Sequence, residues 1–326
     1  MIIARSPLRI NLGGVSTDLP SYYREHGGFL ISAAIDKHVY VTVTRPIAPG
    51  ITFRHSEVER VDTVDEVRHG IVREALRIFE PGRPQIEITS FADVPHGTGL
   101  GSSGSFTTAL LRALHAHRGT IVDRGELAEE ACRIELDLLR EPIGKQDQYI
   151  AAFGGLTCFT FAKDGAVSAQ PLAVDAATRR KLQESILLFF TGSTRSASGI
   201  LRDQVARLDK KDKAMMDNIH FEMENAFQSR IALEKGDLPG FGLLLSDHWN
   251  MKRRRSSLIS NPSIDRWYEV GLMNGAFGGK LVGAGGGGFL MFCARDTEKL
   301  RGAMHDEGLA GLHFSFDDHG TRLIIP

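Results

Sequence analysis

Apolar residues alternate with polar ones in some stretches of this chain and recur at helical spacing in others. From His38 to Thr44, Val39, Val41 and Val43 fall on one side and Tyr40, Thr42 and Thr44 on the other, the period of a half-buried strand. Phe29 to Ile35 reads as a separate strand before it, and Gln85 to Phe91 as another alternating one. Ile2 to Leu12 is strand-like, interrupted by Pro7 and closed by a tight turn at Gly13-Gly14. A helix is expected over Asp65 to Phe79. Phe106, Ala109, Leu110, Ala113 and Leu114 give a second helix one apolar face. A third, Asp123 to Leu139, carries Leu127, Ala131, Ile134 and Leu138 on its stripe. Glu135 sits at the edge of that stripe, so its carboxylate either reaches out to solvent or points into a polar site.

The second half opens on a buried strand, Ile186 to Phe190. Three helices follow between Ser196 and Trp249, then alternating helix and strand. Lys163 to Arg180 turns polar and small. With 326 residues, more than one hydrophobic core comfortably holds, this predicts an α+β protein in two domains, residues 1–179 and 180–326.

Composition narrows the function. Lys+Arg 39 against Asp+Glu 40 leaves no global charge bias, which excludes a general nucleic-acid or membrane-surface binder. Cys132, Cys158 and Cys293 are too far apart for a disulfide framework or zinc cluster and read as buried thiols. No apolar run approaches bilayer length, so the expectation is a cytoplasmic protein. A homodimer is compatible with all of this.

The chemistry concentrates in glycine-rich segments. Pro95 to Ser105 reads P-H-G-T-G-L-G-S-S-G-S ahead of the second helix. Glycines let the backbone turn tightly and approach a ligand, while Ser102 and Ser103 fall where free N–H groups of a helix start favour an anion. The alternative is a flexible loop with a capped helix. The segment does not fit G-x-x-x-x-G-K-[ST], since no Lys follows its last glycine. A second cluster, Gly278 to Gly288, holds four consecutive glycines between strand-like flanks, as close approach to a ligand or another backbone requires. In G-K-Q-D-Q at Gly144, Asp147 is the best acid/base candidate, with Lys145 and Gln146 able to orient it or a substrate hydroxyl. Read alone, it is an exposed loop Asp. His305, His313 and His319 lack metal-ligand spacing.

S-P-L-R-I-N-L-G-G at Ser6, P-x-x-x-G-L-G-S-S at Pro95 and G-A-G-G-G-G at Gly283, in that order, resemble the three motifs of the GHMP kinase superfamily. T-D-L-P-S-Y-Y at Thr17, G-K-Q-D-Q-Y-I-A-A-F-G-G at Gly144 and H-W-N-M-K-R-R-R at His248 are similar to its D-glycero-D-manno-heptose 7-phosphate kinases. The resemblance implies a two-domain fold with the active site between domains, ATP and Mg²⁺ as cofactors, and a sugar phosphate acceptor phosphorylated on its anomeric hydroxyl. Kinases for fucose, galactose or another hexose, and a silent sugar or nucleotide sensor, are the alternatives.

The resemblance also assigns roles. Pro95, Gly97, Gly99, Leu100, Gly101, Ser102, Ser103 and Gly104 would wrap the ATP phosphates, and Ser103 with Glu135 would hold the metal. Asp147 would be the catalytic carboxylate, with Arg9 beside it. Asp18 would grip sugar hydroxyls, and Gly13, Gly14, Thr17, Gly285 and Gly286 would also bind the substrate. The phosphate already on the substrate needs cations of its own, for which Arg195 and Lys252, Arg253 or Arg254 are the candidates. The common ending G-L-G-S-S-A-A is here G-L-G-S-S-G-S. Gly104 weakens helix propensity by up to about 1 kcal/mol and leaves the loop intact.

Overall fold

The computed structural model describes residues 1–194 and 198–325. Its backbone is organised by one long strand, Gly28–Thr44, at the centre of an eight-stranded sheet. On one side it pairs antiparallel with Ile2–Gly13. On the other, its first half pairs with Leu156–Phe161 and its second half with Ile86–Ala92. The two strands expected over this region are therefore one strand serving two neighbours, and half-exposed Asp36 and Lys37 mark the junction. Pro7 does not end its strand. It sits where the register slips from Pro7↔His38 to Leu8↔Ile35, as a residue without an N–H donor should.

The second sheet has four strands, Ala310–Leu312, Ile186–Phe190, Phe289–Ala294 and Ala276–Leu281 in spatial order. Helices Ser198–Asp209, Lys213–Glu234 and Leu238–Lys252 precede its later strands. The two sheets share packing: Ile186, Leu188, Phe289 and Met291 join the same apolar cluster as Ile10, Leu30 and Val41. The chain end returns to the first sheet, where Arg322–Ile325 pairs with the first strand. Residues beyond about Phe316 therefore lie with the first half, outside the simple division at residue 180.

One helix departs from its expected register. Arg124–Cys132 is α-helical, but Arg133–Leu138 widens into a π-turn, with Leu139 N donating to Ile134 O at 3.0 Å. The extra residue rotates everything after it. Leu138, expected on the buried stripe, is exposed, while Leu139 packs against the core. Glu135 is carried inward to 1% exposure.

Part of the late glycine cluster serves helix packing. A Cβ on Gly278 would overlap the Gly242 carbonyl oxygen and sit 2.5 Å from Ser246 Oγ. The helix Leu238–Lys252 thus lies directly against the strand Ala276–Leu281. Gly278→Val should destabilise the fold by about 1–3 kcal/mol, seen as a lower midpoint in denaturant unfolding. An unchanged midpoint would mean this contact is looser than described.

Candidate active site

A cleft of about 1010 Å³ runs between the Pro95–Ser103 loop, the N-terminal turn, the segment before Asp147 and the late glycine cluster. Gly97, Gly99 and Gly101 have φ of 76°, 81° and 78°, so their even spacing reflects a backbone that turns left-handed at every second residue. Pro95, Gly97, Gly99, Gly101, Ser102 and Ser103 line the cleft. Leu100 lies fully buried beneath the loop. The helix Ser102–His117 starts behind a left-handed Gly101, with no side chain capping its first turn. Its opening N–H groups remain available to an anion.

Gly104 does not line the cleft. A Cβ there would lie 2.8 Å from both Asp147 Cβ and Gln148 N, so this glycine lets the helix touch the Asp147 backbone. Ser105 donates its hydroxyl to the Pro7 carbonyl at 2.7 Å. Both departures from the common alanine pair thus have local partners.

Arg9 and Asp147 meet as expected. Arg9 Nε and Nη2 reach Asp147 Oδ1 at 2.8 and 2.7 Å. Nη1 donates to the Gly99 carbonyl, and the Arg9 backbone N–H donates to Leu100 O at 2.9 Å. One buried guanidinium therefore bridges the glycine loop and the carboxylate. Asp147 Oδ2 carries no hydrogen bond among the described residues, which leaves it for a ligand.

Asp147 lies in the first turn of Gln146–Phe153. That turn is fixed from Asp18, whose Oδ2 accepts from Gln146 N at 2.8 Å. Gly144 is required here, since a Cβ would overlap the Asp18 carboxylate. Asp18 and Gln146 both line the cleft. Burial raises the Asp18 carboxyl to about 7, and nearby Asp147 adds to the rise, against the lowering pull of the Gln146 amide.

Glu135 enters the cleft through its π-turn. Its Oε1 accepts from Thr107 Oγ1 at 2.9 Å and Gln148 Nε2 at 3.0 Å, and Ser103 also bonds its carboxylate. Burial raises this carboxyl to about 7. A hydroxyl and a carboxylate are hard oxygen donors suited to Mg²⁺, which takes few protein ligands and completes its shell with phosphate and water. A buried carboxylate of this kind gains from a neighbouring cation, so the pair fits the metal.

Other expected ligands are placed differently. Thr17 donates its hydroxyl to Gly14 O and Phe29 O, fully buried. Gly13 packs on Ala226, and Gly14 has no room for a side chain beside Leu30. These three shape the turn and do not face the cleft. Lys145 points away from it, pairing with Glu129 at 2.7 Å in a separate cavity of about 530 Å³. Lys252 is 1% exposed and donates to the Leu281 and Gly283 carbonyls beneath the late glycine cluster. Arg253 faces Asp265 at 3.7 Å. Gly285 lines the cleft, whereas Gly286 donates its N–H to Ile259 O. Arg195 lies outside the described residues.

Several contributors went unnoticed in the sequence. Ser16 lines the cleft, its N–H reaching Glu222 and its hydroxyl accepting from Arg255 at 2.7 Å. Burial pushes the Glu222 carboxyl up, but the Arg255 guanidinium at 2.6 Å and His248 hold it well below the usual range. Lys280 is buried against Asn11. Of these, His248 and Arg255 fall inside the H-W-N-M-K-R-R-R run, and Lys280 stands out as a lone charge inside an apolar strand. At the far end of the cleft Phe53, His55, His69 and Phe106 form a ring cluster whose members come from three separate elements.

The raised Asp18 carboxyl has a stability consequence. It keeps its proton when folded over a range where the unfolded chain, titrating near 3.8, has lost it. Stability is therefore lost progressively as pH rises from the unfolded value towards about 7. Asp18→Asn removes this cost, so its gain in Tm over wild type should grow across that window and level off above it. A difference that stays flat with pH would remove the burial account.

Residues 70–155 match the GHMP kinases N terminal domain and residues 229–307 the GHMP kinases C terminal domain. The D-glycero-alpha-D-manno-heptose 7-phosphate kinase of Campylobacter jejuni is 27% identical over 98% of both chains. A crystal structure of a putative sugar kinase from the same species, 26% identical, superposes with a TM-score of 0.78 over 100% of this chain and 98% of that one. A D-glycero-D-manno-heptose 1-phosphate kinase structure from Bacteroides thetaiotaomicron shares the fold at a TM-score of 0.80, with 24% identity over 99% and 98% of the two chains. With both family domains in order around a cleft of this construction, the chain belongs to the GHMP kinases and is a phosphotransferase of their two-domain α+β fold.

Proposed function

We propose that the protein is an ATP- and Mg²⁺-dependent sugar kinase. Its acceptor is the anomeric hydroxyl of D-glycero-D-manno-heptose 7-phosphate, and the 1,7-bisphosphate it forms serves nucleotide-activated heptose and surface polysaccharide synthesis. The observation that carries this reading is the Arg9–Asp147 pair set beside an uncapped helix start. The heptose assignment draws on the full-length likeness to the Campylobacter jejuni enzyme of that name.

Phosphoryl transfer asks mainly for positioning and charge neutralisation. The N–H groups of the 97–103 loop hold the donor phosphates, and the ring cluster at Phe53 and Phe106 gives the base an apolar wall. Ser103 and Glu135 hold the metal, which supplies charge neutralisation at the phosphates. Arg9 occupies Asp147 Oδ1, so Oδ2 orients the acceptor hydroxyl and takes its proton. Asp18 and Gln146 receive other sugar hydroxyls. Arg195, next to cleft-lining Thr194, is the cation assigned to the substrate's own phosphate.

A panel of sugars with coupled ADP detection tests the acceptor. Turnover is expected on heptose 7-phosphate, and efficient turnover of unphosphorylated fucose or galactose with none on the heptose would overturn the assignment. Asp147→Asn should lower kcat by roughly 10²- to 10⁴-fold with ATP affinity little changed. Wild-type activity in that variant would exclude Asp147 from the mechanism and return the silent-sensor reading to consideration. Gly104→Ala should displace the Asp147 backbone and cost about tenfold or more in kcat. An equal loss in ATP affinity would show instead that the loop had moved.

A further inference from the structure

Lys280 lies in the strand Ala276–Leu281 and is 1% exposed. Its hydrogen-bond partner is a neutral amide, Asn11 Oδ1, at 3.0 Å. Burial lowers its proton affinity far below that of a free lysine, and Lys252 nearby acts in the same direction. A cationic side chain buried without a carboxylate partner is costly, and Leu or Met would fill the same strand position at less cost. The reason for a lysine has to lie beyond Asn11.

Asn11 Nδ2 donates to Gly13 O at 3.1 Å and to Gln146 Oε1. Gln146 Nε2 in turn faces Asp147 Oδ1 at 3.5 Å. Each amide could in principle be turned over, but the ends of the series cannot. The lysine amine carries N–H donors in either charge state, and the Asp147 oxygen held by Arg9 is an acceptor. With Lys280 donating to Asn11 Oδ1, Asn11 must present Nδ2 to Gln146, and Gln146 must then turn Nε2 towards Asp147. The Gly13 carbonyl, an acceptor only, holds Asn11 the same way round.

We propose that Lys280 is a positioning residue for Asp147. It sets the direction of a buried series of donors through Asn11 and Gln146, so that Gln146 offers Asp147 an N–H and never a carbonyl oxygen. A reversed Gln146 would set its oxygen against Asp147 Oδ1 and push that carboxylate off Arg9. The series runs through buried positions from the second sheet, by way of the first strand, to the segment that carries the reacting carboxylate. The inference rests on the reading of Asp147 as that carboxylate.

Two variants and one direct observation test it. Lys280→Met removes the donor at similar volume. Asn11→Asp keeps shape but cannot donate to Gln146 when ionised. Each should lower kcat by about tenfold or more with the KM for ATP within about twofold, while Lys280→Arg, which keeps a donor, retains most of kcat. The kinetics use whichever acceptor wild type turns over in the sugar panel. A wrong heptose assignment therefore shows as wild-type silence on heptose 7-phosphate, not as insensitivity to Lys280. Neutron diffraction of the deuterated wild-type protein reads the amides without any activity, and the Gln146 deuterons should face Asp147. The proposal fails if Asn11→Asp keeps wild-type kcat, if Lys280→Met lowers Tm but not kcat, if the Arg and Met variants lose equally, or if the Gln146 amide is reversed.

Discussion

The Arg9 guanidinium is the contact on which the rest of the site depends. It is almost wholly buried, and it reaches the Gly99 carbonyl and Asp147 at once, while its backbone N–H holds Leu100. Arginine suits this because its planar fork presents several donors in fixed directions and stays charged when buried. A lysine could serve one of these partners but not all of them. The left-handed glycines make the loop able to bend, and Arg9 decides where it bends to. Because the same side chain sets Asp147, the glycine loop and that carboxylate share one reference point, the first strand.

Beneath that strand the second half supplies three more buried cations, each ending on a functional segment. Lys252 holds the Gly283 carbonyl, Arg255 holds the Ser16 hydroxyl, and Lys280 holds Asn11. Glu222 lies against Arg255 and His248, so it offsets only part of this charge. Burial lowers the proton affinity of Lys252 to about 7 and that of Lys280 further. Stability alone does not favour such an arrangement, since buried charge costs several kcal/mol per ion before compensation. Its return is positional: the Gly283 carbonyl, the Ser16 hydroxyl and the Asn11 amide are each held by a buried donor.

This is also where sequence reading stopped. The strand and helix pattern was legible because burial follows a period, and the valines at 39, 41 and 43 and the helix from Ser102 behave accordingly. The order of the three glycine motifs was legible as well, because tight backbone approach demands glycine whatever lies around it. The π-turn at Arg133–Leu138 was not, since one inserted residue leaves no compositional mark, and Leu138 was expected on the wrong face as a result. The run from Lys252 to Arg255 reads as a solvated or phosphate-binding set because charge ordinarily means exposure. Within it, Lys252 and Arg255 instead turn inward, to the Gly283 carbonyl and the Ser16 hydroxyl.

The division of labour between the halves follows from these placements. Arg9, Asp18, Ser103, Glu135 and Asp147 all belong to the first half, and the second contributes glycine backbone and buried donors instead. Gly99 and Gly283 approach so closely that a Cβ on Gly283 would lie 2.6 Å from Gly99 Cα, so neither loop can take its shape without the other. The strand Arg322–Ile325 returns to pair with Ile2–Gly13, and Ser6 hydrogen bonds Thr321 at 2.6 Å. The chain's two ends thus close the second half onto the strand that carries Arg9. A cleft whose charged side chains sit on one half and whose restraints come from the other is complete only when both have folded together. That accounts for an apolar core that runs between the sheets without a break.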